Sequence, residues 1–206
     1  VYGLAKNYEA HAQFMHESGH SEIAHAPEDM VIFSKPSTSV IGPDDPIVIP
    51  SYSNDMNFEP EVAVIMGRIA KNVPVEKAMD YVLGFTCVND VTLRDLQGLD
   101  PMWTRAKGFD TSCPLGPWIQ TELDWKDAKI SFTLNGEDVP MASGTTANLI
   151  HGIPEQIAAI SSFSTLLPGD VIMTGTPNAS GHLDPGDETI VHVEGIGDLR
   201  NVIVRA

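Results

Sequence analysis

The sequence predicts a strand-rich α+β fold with few helices. Three observations carry that prediction. Seventeen glycines and fifteen prolines are spread along the 206 residues and cut the chain into many short pieces. The pieces between them are mostly apolar runs of strand length, rich in Val, Ile, Phe and Thr. Only two segments carry a proline start signal ahead of a helical apolar period.

In chain order, strands are expected at 1–5, 31–34, 47–50, 59–65, 83–88, 130–134, 171–174, 190–193 and 199–204. The run at 130–134 leads into Asn135-Gly136, the residue pair that a two-residue type I′ hairpin turn demands because both central positions need positive φ. Helices are expected at 75–81, opened by Pro74, and at 154–162, opened by Pro154 and carrying Ile157, Ala158, Ile160 and Ser161. The segment 8–29 differs, being rich in histidine and acid and lacking a sustained apolar period. It reads as a short helix followed by a mobile loop. A chain of 206 residues is long enough for one core, so a single domain over 1–206 is expected.

Composition narrows the partners. Twenty-eight acidic against twelve basic residues give a formal charge of -16, which repels phosphate backbones and anionic lipid alike, so neither nucleic acid nor membrane is expected. No apolar run reaches the length of a membrane span. Cys87 and Cys113 stand among apolar neighbours without metal or redox spacing, which fits a reducing, cytoplasmic setting.

The chemistry concentrates at Glu59, Glu61 and Asp90. Glu59 and Glu61 stand at i and i+2 at the mouth of an apolar strand, which points both side chains to one face. Two like charges on a half-buried face repel, and a cation resolves that conflict. Asp90 ends the next apolar run and supplies a third hard oxygen donor, a set suited to Mg²⁺, Mn²⁺ or Ca²⁺ more than to zinc. The same spacing also serves a solvated strand edge, with Asp90 as a turn or cap.

The text around these residues resembles the fumarylacetoacetate hydrolase family over nearly the whole chain. In order it shows Asn7-Tyr8-x-x-His11, Phe33-x-Lys35-Pro36, Glu59-x-Glu61, Asn89-Asp90-x-x-x-Arg94-Asp95-x-Gln97, Lys107-Gly108-Phe109-Asp110-Thr111, Gly116-Pro117, Asn135-Gly136, Pro168-Gly169-Asp170, Thr174-Gly175-Thr176-Pro177 and Gly195-x-Gly197. Each is weak alone; their order gives the resemblance its weight. It implies a mixed β-roll with a few peripheral helices, usually dimeric. It makes Glu59, Glu61 and Asp90 the metal ligands, turns Lys107, Arg94 and Gln97 toward the substrate, and gives Gly175 and Thr176 the substrate carboxylate. Three carboxylates and one divalent ion sum to about minus one, which Lys107 and Arg94 would offset for a keto-acid anion.

His16-Glu17-Ser18-Gly19-His20 also spells the H-E-x-x-H of helical zinc proteases. That motif needs an unbroken helix, which Ser18-Gly19 disfavours, and the extended form fails at Ile23 and Ala26. A chance match in a loop accounts for it. His11 fits the family's lid histidine, which a glutamate three residues on usually orients; here Phe14 holds that place, and Glu17 is the nearest substitute. In a straight helix Glu17 lies at i+6 from His11, nearly two turns away, so a break near Ser18-Gly19 would be needed to bring it back.

The activity implied is metal-dependent cleavage of a carbon-carbon bond in an acylpyruvate-type 2-oxo acid through a metal-stabilised enolate, with His11, Lys107 and Glu17 as the catalytic set. The same chemistry serves isomerisation of a 2-hydroxy-diene diacid or decarboxylation of oxaloacetate in aromatic catabolism. The rival of a different class is a keto-acid binding protein without turnover. Intact Lys107, Arg94 and Gln97 argue against it, and Phe14 argues for it.

Overall fold

A computed structural model describes residues 1–22 and 24–206. Ile23, within the expected lid, lies outside the described residues.

The strand Pro60–Met66 explains the architecture around it, because all seven of its residues are buried. A strand that faces water on one side alternates; one covered on both faces reads as the apolar run Val62–Met66 seen here, with Glu61 as the one charged residue ahead of it. Val62, Val64 and Met66 point into the main core with Ile130, Phe132, Val191 and Leu199. Ala63 and Ile65 point the other way, into a smaller cluster with Phe33, Val88, Val171 and Met173. Each fully buried Val or Ile here contributes on the order of 1.5–3 kcal/mol, so a charge at Val64 would break the strand's packing.

Among the described residues, seven strands form the sheet around it, in the order Val31–Ser34, Tyr2–Ala5, Val171–Met173, Pro60–Met66, Val82–Asn89, Cys113–Gln120 and Val40–Ile41. Tyr2–Ala5 runs parallel to Val171–Met173, and Val40–Ile41 to Cys113–Gln120; the other pairs are antiparallel. A second sheet, built on Lys129–Leu134, Glu188–Val193 and Gly197–Arg205, covers the main core. A small third sheet pairs Met56–Phe58 with Gly181–His182 and Thr92–Leu93. Phe58 stacks on Phe132 with ring centroids 4.0 Å apart, tying the third sheet to the second.

The expected strands all form within a residue or two of their places. Asn135 and Gly136 take φ of 55° and 80°, as the hairpin requires. The helix at 154–162 is Ile153–Phe163; Pro154 sits in its first turn and Glu155 accepts a hydrogen bond from the Gly152 N–H at 2.7 Å. One expectation needs correction, and one strand is missing from the expected set. The segment Val75–Tyr81 forms 3₁₀ turns instead of an α-helix, because only Ala78 is buried and a strand begins at the next residue, leaving no apolar stripe to stabilise a longer helix. Cys113–Gln120 is a full strand hidden by Pro114, Gly116 and Pro117, residues that break strands on paper but are tolerated where the ladder is irregular, as it is here against Val82–Asn89.

The lid segment begins with the helix Glu9–Glu17, which buries His11, Ala12 and Met15 on one face. Ser18 caps it, and Gly19 follows in the left-handed region at φ 78°. His16-Glu17-Ser18-Gly19-His20 therefore straddles a helix end and cannot present two histidines on one helical face. Among the described residues no helix is long and apolar enough to cross a membrane.

Candidate active site

Antiparallel register brings the three carboxylates together. Pro60 lies opposite Asn89. One step further, the Asp90 N–H donates to the Glu59 carbonyl at 2.8 Å, and Asn89 Oδ1 accepts the Glu59 N–H at 2.9 Å. Glu59, Glu61 and Asp90 are all buried, and each turns a carboxylate oxygen to within 4.8 Å of the other two. Three hard, anionic oxygens at that spacing suit a six-coordinate divalent ion of the Mg²⁺ or Mn²⁺ type.

Three buried cations surround this cluster. Lys107 Nζ donates to Asp90 Oδ2 at 2.5 Å, Thr92 Oγ1 at 2.8 Å and Glu59 Oε2 at 2.9 Å. Arg94 Nη2 donates to Glu59 Oε1 at 2.6 Å and to Ser180 Oγ at 2.7 Å, while Nη1 donates to Gln97 Oε1 at 2.7 Å. Lys35 Nζ stands 2.7 Å from Asp90 Oδ1 and donates to the carbonyls of Ser112 at 2.6 Å and Val91 at 3.2 Å. The Lys35 contact with Asp90 is an ion pair without hydrogen-bond alignment, which leaves the buried Oδ1 with charge nearby and no donor aimed at it. That free acceptor, and the donor set it belongs to, fit a hard cation.

The electrostatics differ sharply from one carboxylate to the next. Burial pushes Glu59 up, but Lys107 and Arg94 outweigh it and hold its carboxyl far below the usual range. Glu61 has no such partner: burial, then Asp90 and Glu59, push it well above the usual range. Its Oε2 accepts only the Gly175 N–H among the bonds described, at 2.7 Å. Burial disfavours the Lys107 ammonium, yet Asp90 and Glu59 more than compensate and keep it charged.

His11 projects from the lid helix into the cavity that these groups line, together with Met15, Gln97, Trp103 and Thr176. Its Nδ1 lies 2.5 Å from the Asn178 carbonyl oxygen. A carbonyl can only accept, so Nδ1 carries the hydrogen and Nε2 of the neutral ring is left as an acceptor. Burial lowers the His11 pKa below 6.5 against the pull of Glu59 and the Asn178 bond, so the ring is neutral at pH 7. The orienting partner is thus a backbone carbonyl, a role that no residue identity discloses. Glu17 is exposed on the far end of the helix and accepts from Gln13 Nε2 at 2.8 Å, so the structure does not bring it to His11. Phe14 instead flanks the imidazole, stacked with centroids 6.5 Å apart.

Gly175 and Thr176 meet the site through protein acceptors. The Gly175 N–H holds Glu61, and the Thr176 hydroxyl donates to the Pro60 carbonyl at 3.0 Å. Gly175 takes φ 105° and packs so closely on Asn7 that a Cβ would fall 2.9 Å from the Asn7 Cβ. Asn7 in turn donates to the Thr174 and His151 carbonyls, pinning this loop beside the lid. Lys35, Thr92, Asn178 and Ser180 were not singled out for roles from sequence; only Lys35 carried a signal, as part of Phe33-x-Lys35-Pro36.

Comparison with known proteins agrees with this geometry. The family model described as fumarylacetoacetate (FAA) hydrolase C-terminal matches residues 1–204. The chain belongs to the fumarylacetoacetate hydrolase family. A solved structure of 5-carboxymethyl-2-hydroxymuconate delta-isomerase from Mycobacterium smegmatis is 45% identical and superposes with a TM-score of 0.89, covering 100% of this chain and 78% of that one. Fumarylpyruvate hydrolase from Pseudomonas aeruginosa, solved in complex with Mn²⁺ and pyruvate, is 29% identical with a TM-score of 0.89 over 100% of this chain and 89% of that one. The mitochondrial oxaloacetate tautomerase Fahd2a of Rattus norvegicus is 37% identical over 96% of this chain and 64% of its own length. The strand-rich mixed roll is the fold of this family, and the buried Glu59, Glu61 and Asp90 form an acidic triad typical of the family's divalent-metal site.

Proposed function

We propose that the chain hydrolyses a carbon-carbon bond in an acylpyruvate-type 2-oxo acid with Mg²⁺ or Mn²⁺ held by Glu59, Glu61 and Asp90. The observation that carries this reading is the contact of His11 Nδ1 with the Asn178 carbonyl oxygen, which calls for the hydrogen on Nδ1 and leaves Nε2 as the basic nitrogen beside the carboxylate cluster. Decarboxylation of oxaloacetate needs no base; addition of water to a distal carbonyl does. A bound divalent ion would supply two positive charges and open positions that polarise the 2-oxo group.

The protein's own residues then divide the work. His11 Nε2 takes a proton from water as its oxygen adds to the distal carbonyl carbon. The carbon-carbon bond breaks, its electron pair passes into the 2-oxo unit as an enolate, and a proton returned to the methylene carbon yields pyruvate and the second acid. Lys107, charged and fixed between Glu59 and Asp90, offsets negative charge growing on oxygen. Arg94 is bonded to Glu59 and Gln97, which orders the site, and it also borders the hollow beyond them. Gln97, Met15, Trp103 and Lys6 also wall a wider hollow of about 370 Å³ next to the inner cavity, room for the distal part of a small substrate.

The reading extends to a cytoplasmic homodimer, supported by the free thiols of Cys87 and Cys113 and by the preference of soluble chains for two-fold pairing. The deciding experiment sets acylpyruvates, oxaloacetate and a 2-hydroxy-diene diacid side by side with Mg²⁺ and with Mn²⁺. Pyruvate release from an acylpyruvate, lost on chelation, is expected. Keto-enol interconversion of oxaloacetate or diene isomerisation without pyruvate release would replace hydrolysis by proton transfer, for which the same His11 would serve.

A further inference from the structure

Among the described residues, Lys35 is the one cation paired with the carboxylates to which the proposed reaction gives no part. Its side chain is wholly buried and is not part of the lining of the cavity beside His11: its ammonium is spent on Asp90 Oδ1 and the carbonyls of Val91 and Ser112. A lysine so placed is costly to desolvate and a methionine of the same length would pack there more cheaply, so the charge itself needs a reason.

The sum of charges supplies one. Glu59, Glu61 and Asp90 contribute three negative charges when ionised; Lys107, Arg94 and Lys35 contribute three positive ones, each within 3 Å of a ligand carboxylate. With a divalent ion added, the site carries plus two. With only Lys107 and Arg94 it would carry plus one. A 2-oxo acid in its keto form is a monoanion, whereas its enolate is a dianion. We propose that Lys35 is a positioning residue that acts through Asp90 to set the loaded site at plus two, matching the dianionic enolate better than the monoanionic ground state, so that binding strengthens as the reaction proceeds. This rests on the divalent-metal reading above.

The same geometry makes two effects of opposite sign. Lys35 opposes the incoming cation by sharing Asp90 with it, and it favours whatever anion follows. A structural prop would act on both in one direction. The test uses Mn²⁺ as the metal, oxalate as a dianion of enolate shape and pyruvate as the monoanion, with titration calorimetry on folded wild type, Lys35→Met and Lys35→Arg. One unit charge acting at roughly 10 Å through an effective dielectric of about 20 changes affinity on the order of tenfold per ligand charge. Lys35→Met is therefore expected to tighten Mn²⁺ and to cut the oxalate-to-pyruvate preference of the loaded protein about tenfold, and Lys35→Arg is expected to restore that preference.

Weaker Mn²⁺ binding in Lys35→Met with an unchanged oxalate-to-pyruvate preference would overturn the inference and leave Lys35 as a prop. If Lys35→Met does not fold, wild type decides. Its bound Mn²⁺ must prefer oxalate over pyruvate more strongly than aqueous Mn²⁺ does, and equal preferences overturn the inference. Failure of wild type to bind Mn²⁺ at all would be a different result, striking the metal reading itself.

Discussion

Replacing Glu61 by glutamine should stabilise the metal-free protein above mildly acidic pH while removing its response to metal. Glu61 lies within 4.8 Å of two other carboxylates and receives one backbone N–H, with no cation on it among the bonds described. Two unit charges at 4.8 Å repel by about 3.5 kcal/mol at an effective dielectric of about 20, so the folded protein keeps Glu61 protonated well above its ordinary 4.5. Because the folded pKa is raised, stability is fully present below about 4.5 and is lost as pH rises toward the folded pKa. Over that window the loss is about 1.4 kcal/mol per pH unit. For a chain of this size that is roughly 3–6 °C in melting temperature per pH unit. Glutamine cannot ionise, still accepts from Gly175, and turns an amide donor toward its carboxylate neighbours, so the Glu61→Gln protein should lack that slope. Wild type with Mn²⁺ at about a hundred times its dissociation constant should gain about 2.7 kcal/mol, and Glu61→Gln should gain almost none. The assay is thermal unfolding from pH 4 to 9 in chelator and in Mn²⁺. Parallel wild-type and Glu61→Gln curves in chelator, or a retained Mn²⁺ shift in the variant, would refute the placement of Glu61 in a repelling, metal-seeking cluster.

His11→Ala should lower acylpyruvate turnover by about 10²–10⁴-fold, the usual worth of a placed general base, while Glu17→Ala changes it less than about twofold; equal losses in a pyruvate-release assay would contradict the tautomer argument. The pH-rate profile should hold from pH 7 down past 6.5 and fall only below it, since burial keeps His11 neutral there and a divalent ion would lower its pKa further; an acid limb above 6.5 would mean that another group limits the rate. Gly175→Ala puts a Cβ 2.9 Å from Asn7 at φ 105°, and should cost about 1–3 kcal/mol in a urea titration, where an unchanged midpoint would show that the loop yields freely. Sedimentation at working concentration should give a dimer, and a monomer would remove the proposed pairing.

Much of the molecule was legible before any coordinate. Strand positions follow from runs such as 62–66, where no polar residue interrupts because both faces are covered. The hairpin at Asn135-Gly136 follows from backbone sterics that few residue pairs satisfy. Glu59 and Glu61 could be placed on one face because strand periodicity is local, and Asp90 could be named because it ends the neighbouring run. The strand Cys113–Gln120 was not legible, since its prolines are acceptable only in an irregular ladder whose partner is far away in sequence.

The residues that tune the site were hidden for the same reason. Lys35 meets Asp90 across 55 positions, and Asn178 orients His11 across 167 through a carbonyl that every residue possesses. Local pattern reaches a few residues along the chain and reports side-chain type. Charge balance and tautomer depend on which groups the fold carries to one point, and on backbone atoms that have no letter. The three carboxylates could therefore be placed by local pattern, with the family resemblance pointing to a metal for them, while the third lysine and the partner of the histidine waited for the sheets to close.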